Sequence, residues 1–87
     1  MALIQIPPAE AQVRWDRSAN RPATVHWGGR LRHVLDLDAV RDERAAYPAA
    51  RGPRVTFVLR MEEGSRASLV FDGREKRWFV EAIEQAA

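Results

Sequence analysis

Six stretches rich in valine, threonine and aromatic residues, separated by short turn signals, constrain this chain more than any other feature. Residues of these types favour strands, and their alternation with polar residues is typical of half-buried strands. Connections this short join neighbouring strands into antiparallel hairpins. The sequence therefore predicts a mainly β protein, a small antiparallel meander of five or six strands that forms a barrel or a strongly bent sheet. The strand-like stretches cover residues 12–16, 23–27, 30–37, 53–61, 66–71 and 76–83.

Two parts of the chain depart from this pattern. Pro7 and Pro8 interrupt any regular element after a short apolar start. We therefore predict an N-terminal arm or short strand over residues 1–10, followed by a single small β-domain over 11–87. Residues 38–50 are rich in helix formers and have an aspartate at their start, which predicts one short helix or loop there.

The glycine pair at 28–29, between two predicted strands, marks a hairpin whose register decides which side chains face the core. A two-residue type I′ turn pairs Trp27 with Arg30 and places Arg32 on the tryptophan face. A three-residue loop pairs Trp27 with Leu31 instead and makes that face almost wholly apolar. Hydrophobic patterning favours the three-residue loop. Turn chemistry favours the two-residue turn, because the longer loop forces a non-glycine residue to positive φ.

Charge and composition narrow the classes of function. The isoelectric point is about 9.9 although the net charge is only +2. All but one of the 14 basic residues are arginine, which stays protonated, so the high value does not indicate a strongly basic surface. The absence of cysteine excludes disulfides and thiolate zinc sites. No signal-like or membrane-spanning apolar run occurs, which predicts a cytoplasmic protein without membrane association.

The sequence contains no recognisable catalytic motif. It lacks a glycine-rich phosphate loop, a nucleophile elbow, and a serine with a recognisable base. His26 and His33 have no third ligand at a suitable spacing, and Asp36 and Asp38 read as solvated carboxylates. We therefore predict a non-enzymatic module with no catalytic residue, no metal site and no cofactor.

Aromatic and basic residues supply the candidate binding sites. Exposed rings stack on single-stranded bases and arginines contact phosphates, although rings in a small β-domain also fill the core. A different class of function is self-association into a homodimer through an apolar outer patch. The candidate residues for binding nucleic acid or a partner protein are Trp27, Arg30, Arg32, Arg74, Arg77 and Trp78. The candidate residues for self-association are Val58, Val70 and Phe79.

A longer pattern, R-P-A-T-V-H-W-G-G-R followed by R-W-F-V-E, resembles a family of small bacterial domains of unknown function. Its members carry an R-P-x-x-V-x-W-x-G-R motif and occur alone or at the C-terminus of actinobacterial proteins similar to Y-family DNA polymerases. The resemblance spans about Val13 to Glu84 and carries no catalytic residues. It implies an association with DNA repair or replication, through polymerase-type partner proteins or single-stranded nucleic acid. The residues that match the family pattern are Arg21, Pro22, Val25, Trp27, Gly29, Arg30, Val34, Trp78, Phe79 and Glu81.

Overall fold

A computed structural model of the chain describes residues 3–42 and 54–84. In these residues, six antiparallel strands pair in sequence order, and the last pairs with the first to close a barrel. The prediction of a mainly β meander closed into a small barrel is therefore confirmed. The strands are β1 Ile4–Asp16, β2 Arg21–Trp27, β3 Arg30–Asp42, β4 Arg54–Met61, β5 Arg66–Asp72 and β6 Arg77–Glu84.

Strand β1 begins earlier than predicted and closes the barrel. Its first part, residues 4–11, pairs with β6, and its last part, residues 12–16, pairs with β2. The register with β6 shifts between Gln5 and Ala9, across two prolines that have no N–H to donate. The prolines therefore interrupt the ladder without ending the strand, and residues 4–10 form a strand of the barrel, one of the two alternatives predicted for residues 1–10.

Strand β3 continues to Asp42, so the prediction of a helix or loop is wrong over residues 38–42. Val40 pairs with Phe57 in the ladder between β3 and β4. These ladder hydrogen bonds outweigh the helical propensity of the segment, which is a weak preference that tertiary context routinely overrides. The rest of that prediction, residues 43–50, lies outside the described residues.

The turn between β2 and β3 has the two-residue register. Gly28 and Gly29 have φ values of 61° and 77°, the left-handed conformation required at both central positions of a type I′ turn. Trp27 pairs with Arg30 across the turn. Arg32 therefore shares a face of the hairpin with Trp27, as the turn chemistry predicts.

The inward-facing side chains form one hydrophobic core. Leu59 and Leu69, on the adjacent strands β4 and β5, have no exposed surface. Burial of a leucine side chain contributes about 1.5–3 kcal/mol, so these two strands supply much of the stability of the barrel. The buried cluster comprises Ala11, Val25, Trp27, Leu59, Met61, Ala67, Leu69 and Val80.

Candidate functional site

The predicted binding residues are divided between the two ends of the barrel. Consecutive strands run in opposite directions, so successive turns alternate between the ends. The turns at 17–20 and 73–76 lie at one end, which we name the Trp15 end because Trp15 precedes the first of them. The turns at 28–29 and 62–65 lie at the opposite end. The barrel therefore presents two separate surfaces rather than one combined site.

At that opposite end, named the Trp27 end after the last residue of β2, Trp27 and Arg32 contact each other. The guanidinium carbon of Arg32 lies 3.8 Å from the centroid of the Trp27 ring. Only 8% of Trp27 is exposed. A cation over an indole stabilises a fold by about 0.5–2 kcal/mol, depending on how dry the contact is. The two residues, predicted to bind a ligand, therefore make a contact within the hairpin that leaves Trp27 little surface for a base.

Arg30, also at the Trp27 end, is exposed and has a carboxylate nearby. The Ser65 hydroxyl donates a hydrogen bond of 2.6 Å to the Glu63 carboxylate. This hydrogen bond is the main cause that lowers the pKa of Glu63, and the charges of Arg32 and Arg30 add smaller effects in the same direction. A carboxylate that is ionised at neutral pH beside two arginines reduces the attraction of this end for phosphate groups.

Four aromatic rings pack together toward the Trp15 end. The Trp78 ring centroid lies 4.9 Å from that of Phe71, 5.6 Å from Phe57 and 6.5 Å from Trp15. Trp78, one of the predicted binding residues, is half-buried among the other rings. The ring at the edge of the cluster is Trp15, which is 41% exposed.

Trp15 is not among the predicted binding residues, because its exposure depends on the shape of the barrel. Trp15 lies on the core side of β1, where its ring meets that of Phe57 edge-on at 6.0 Å. Its position one residue before the end of the strand is the signal that could have found it, since few side chains cover a ring at the mouth of a barrel. The register shift between Arg14 and Trp15 adds a local distortion of β1 that the sequence does not predict.

Both turns of the Trp15 end carry basic side chains. Arg17 lies in the first turn, and Arg74 and Lys76 lie in the second. All three residues are exposed. This end therefore combines an accessible indole with three basic side chains, and the acidic Glu75, on two turns.

Aspartates at the ends of β1 and β5 shape these two turns. Asp16 Oδ1 accepts hydrogen bonds from the backbone N–H groups of Ser18 and Ala19, at 2.9 and 3.2 Å. Asp72 Oδ1 accepts from the N–H groups two and three residues later, at the same distances. Such side-chain caps are typical of aspartate at a turn. The two carboxylates thus cap the backbone of the turns that carry the basic side chains.

Arg77 lies on the outer face of β6 rather than on a turn. Its Nε is 3.6 Å from a carboxylate oxygen of Glu10, and the two side chains are 57% and 59% exposed. Exposed pairs of this kind contribute about 0–1 kcal/mol. Arg77 is therefore weakly held and accessible to another anion.

The predicted self-association patch is mostly covered within the single chain. Val58 and Val70 point outward from β4 and β5, yet they are only 8% and 2% exposed. Phe79, which is opposite Val70 in the ladder, is half-buried. The two valines therefore offer little exposed area to a second copy of the chain, and self-association through them stays a prediction.

The histidine and aspartate pairs noted in the sequence are not part of a metal-binding cluster among the described residues. In the part of the chain that the structure describes, no group of three or more His, Asp or Glu side chains could hold a metal ion. Asp36 pairs with Arg21 at 3.3 Å, and Asp38 pairs with Arg60 at 2.7 Å. These ion pairs give both aspartates a role in linking neighbouring strands.

Comparisons with protein-family models, with curated proteins and with solved structures give no match to this chain. The resemblance to the R-P-x-x-V-x-W-x-G-R domains stays a prediction, as do the DNA-repair role and the partners that it implies. Over the described ranges, no helix is long and apolar enough to cross a membrane.

Proposed function

We propose that this chain is a non-enzymatic cytoplasmic module that binds single-stranded nucleic acid at the Trp15 end. The observation that supports this proposal is the 41% exposure of Trp15 at the end whose turns carry Arg17, Arg74 and Lys76. Bases stack on exposed aromatic rings, and basic side chains beside the ring contact the phosphates that link them.

Packing beneath Trp15 favours its use as a stacking platform. Its ring lies edge-on to Phe57, at an interplanar angle of 75°, and tilted by 32° against Trp78. A ring supported in this way loses little conformational freedom when a base stacks on it. The aromatic cluster therefore stabilises the barrel and also reduces the entropic cost of binding.

The binding is expected to be weak and tolerant of sequence. Stacking does not read base edges, and the net charge of the chain is only +2. For single strands, the logarithm of the affinity falls with the logarithm of the salt concentration, with a slope of about −0.7 for each phosphate neutralised. If Arg17, Arg74 and Lys76 each neutralise one phosphate, the slope is about −2.

The resemblance to domains appended to Y-family-polymerase-like proteins supports a role in DNA repair or replication. In this role, a polymerase-type partner holds the strand and raises its effective concentration at the module. Such tethering makes a weak site useful, because a second binding event on an already held strand is intramolecular.

The test is a titration of a fluorescein-labelled oligothymidine with the protein, followed by fluorescence anisotropy at several salt concentrations. Replacing Trp15 by Leu removes the stacking surface and should weaken binding about tenfold, since one base stacked on a ring contributes about 1–3 kcal/mol. The matched control is Arg30→Gln, which removes an exposed arginine at the Trp27 end and should leave the affinity unchanged. The proposal is wrong if the wild-type protein does not bind at low salt, or if Arg30→Gln weakens binding as much as the Trp15 variant.

A second candidate function is a protein–protein contact through β3. Leu31 and Leu35 are 57% and 52% exposed on this strand, whereas the valines of the predicted patch are covered. Scattered single apolar residues are common on surfaces, but two leucines on one strand are a candidate contact. Light scattering over a range of protein concentrations, with a Leu31→Ser, Leu35→Ser variant as control, tests for self-association. A mass that stays monomeric at every concentration excludes a homodimer through this strand.

A further inference from the structure

A polar cleft lies on the outer face of the barrel, away from the aromatic cluster. It has a volume of about 200 Å³ and crosses the outer sides of β3 to β6 and the start of β1. Drug-sized ligands occupy pockets of about 300–1,000 Å³, so this cleft fits a small chemical group. The residues that line it include Arg41, Arg54, Thr56, Ser68, Val70 and Glu81.

Two hydroxyl side chains are buried in this cleft although they point away from the core. Thr56 and Ser68 are each 7% exposed. Thr56 is opposite Val70 in the ladder between β4 and β5, and Val70 is 2% exposed. Outward-facing polar residues on a small barrel normally lie in water, so their enclosure here marks a concave site with hydroxyls in its wall and an apolar floor.

The charges of the cleft leave one cation in excess. Arg54 forms a salt bridge with Glu81 through a hydrogen bond from Nη2 to Oε2. Arg41, opposite Thr56 in the ladder between β3 and β4, is exposed and has no ion-pair or hydrogen-bond partner among the described residues. One neutralised arginine, one free arginine and two hydroxyl groups form a set of donors suited to an anion.

We propose that this cleft binds a phosphate group. Guanidinium donates paired hydrogen bonds that match the oxygens of phosphate, and hydroxyl groups complete the shell. Arg41 supplies the charge, the Thr56 and Ser68 hydroxyls donate from the wall, and Glu81 holds Arg54 in place. Arg41 and Arg54 lie near the ends of β3 and β4 at the Trp15 end. The phosphate belongs either to a strand that leaves that end or to a free phosphorylated small molecule.

The first experiment is titration of the isotope-labelled protein with inorganic phosphate and with ribose 5-phosphate, followed by amide chemical shifts. We expect saturable shifts at the amides of Arg41, Thr56 and Ser68. Arg41→Gln should weaken the affinity about tenfold, because hydrogen bonds to an ionised group are the strong ones. Thr56→Val keeps the shape of the side chain and removes its hydroxyl, so it should weaken binding severalfold in a folded protein.

The matched control is Arg14→Gln, which removes an exposed arginine on β1 outside the cleft. Equal loss of phosphate affinity in Arg14→Gln and Arg41→Gln would mean general surface attraction and would overturn the proposal. Shifts spread over all exposed arginines, or no saturable shift at millimolar phosphate, would overturn it as well.

The same variants separate the two sources of the phosphate group and separate this proposal from the nucleic-acid proposal. If Arg41→Gln also weakens binding of the oligothymidine, the cleft holds a phosphate of the strand. If it weakens only ribose 5-phosphate binding, the cleft serves a small molecule. A protein that binds oligothymidine through Trp15 but takes up neither inorganic phosphate nor ribose 5-phosphate would refute the cleft proposal alone. A protein that binds inorganic phosphate or ribose 5-phosphate in the cleft but does not bind oligothymidine would refute the nucleic-acid proposal alone.

Discussion

The Trp15 end and the Trp27 end use the same residue types, tryptophan and arginine, in opposite ways. At the Trp27 end a tight hairpin places Arg32 over the indole within one pair of strands, and a carboxylate in the next turn faces the arginines. At the Trp15 end the indole packs against other rings, and the basic side chains lie on capped turns beside it. At the Trp27 end the ring and the charged groups contact one another, whereas the Trp15 end keeps an accessible ring and accessible charges.

The largest expected difference between the ends is in stability. Trp27→Ala removes a ring that is 8% exposed and should lower the free energy of unfolding by about 3–5 kcal/mol. Trp15→Ala removes a ring that is 41% exposed and should cost about half as much, because less apolar area leaves the interior. Urea unfolding of the two variants measures both values. Equal losses would mean that Trp15 is as much a core residue as Trp27.

Substitutions in the turns of the two ends should change the stability of the protein in opposite directions. Gly29→Ala forces a side chain to φ 77°, although no atom lies within 4 Å of the added Cβ, so the cost is backbone strain alone. That strain should lower the stability by about 1–2 kcal/mol. Lys76 already has φ 57° in the turn at the Trp15 end, so Lys76→Gly should raise the stability by up to about 1 kcal/mol. Thermal unfolding of both variants tests the contrast, and a loss in Lys76→Gly would contradict it.

The stack of Arg32 on Trp27 should contribute about 1 kcal/mol to stability. Arg32→Ala removes the cation and also the carbon stem that covers the ring, so tryptophan fluorescence should change together with stability. Arg30 is the first residue of β3, directly after the turn, and the ring of Trp27 is covered by Arg32 instead. Arg30→Ala should therefore change the stability by less than about 0.5 kcal/mol. Urea unfolding with fluorescence detection compares the two. Similar values for both variants would show that the stack adds nothing beyond general charge.

The smallest expected effect is a pH dependence confined to the Trp27 end. The pKa of Glu63 is lowered from its ordinary value of 4.5, first by the Ser65 hydrogen bond and then by the arginines. A lowered pKa in the folded state means that this carboxylate stabilises the fold above that ordinary value and loses its contribution as the pH falls through the lowered one. Because the group is exposed, the contribution is about 0.2–0.5 kcal/mol. The difference in unfolding free energy between wild type and Glu63→Gln should be present at neutral pH and absent in strong acid. A constant difference would exclude the carboxylate charge as its cause.

The parts predicted correctly are those that local chemistry decides. Turn chemistry favours the two-residue type I′ turn at the glycine pair over the three-residue loop that hydrophobic patterning favours, and the structure has the two-residue register, with Arg32 on the tryptophan face. The alternating stretches likewise predict an antiparallel meander of five or six strands that forms a barrel or a strongly bent sheet, and the structure has six strands in a closed barrel. These features need no knowledge of which strands meet across the barrel.

The parts that were missed depend on that long-range arrangement. Residues 38–42 have a local preference for helix, but they form ladder hydrogen bonds with β4. The outward valines of β4 and β5 are covered by neighbours that the alternation pattern cannot place. Trp15 and Trp78 belong to the same ring cluster, and only their positions within it, Trp78 among the other rings and Trp15 at the edge, decide which one is exposed.

The closure of the barrel between β1 and β6 has a consequence for synthesis of the protein. Ile4 pairs with Ile83, so the earliest and the latest strands of the described chain complete each other's ladders. A nascent chain leaving the ribosome therefore carries β1 with one edge unpaired until β6 emerges, and an unpaired edge invites association with other chains. The two prolines in β1 remove hydrogen-bond donors from that unpaired edge. They therefore reduce association with other chains during translation, in addition to interrupting the ladder of the finished fold.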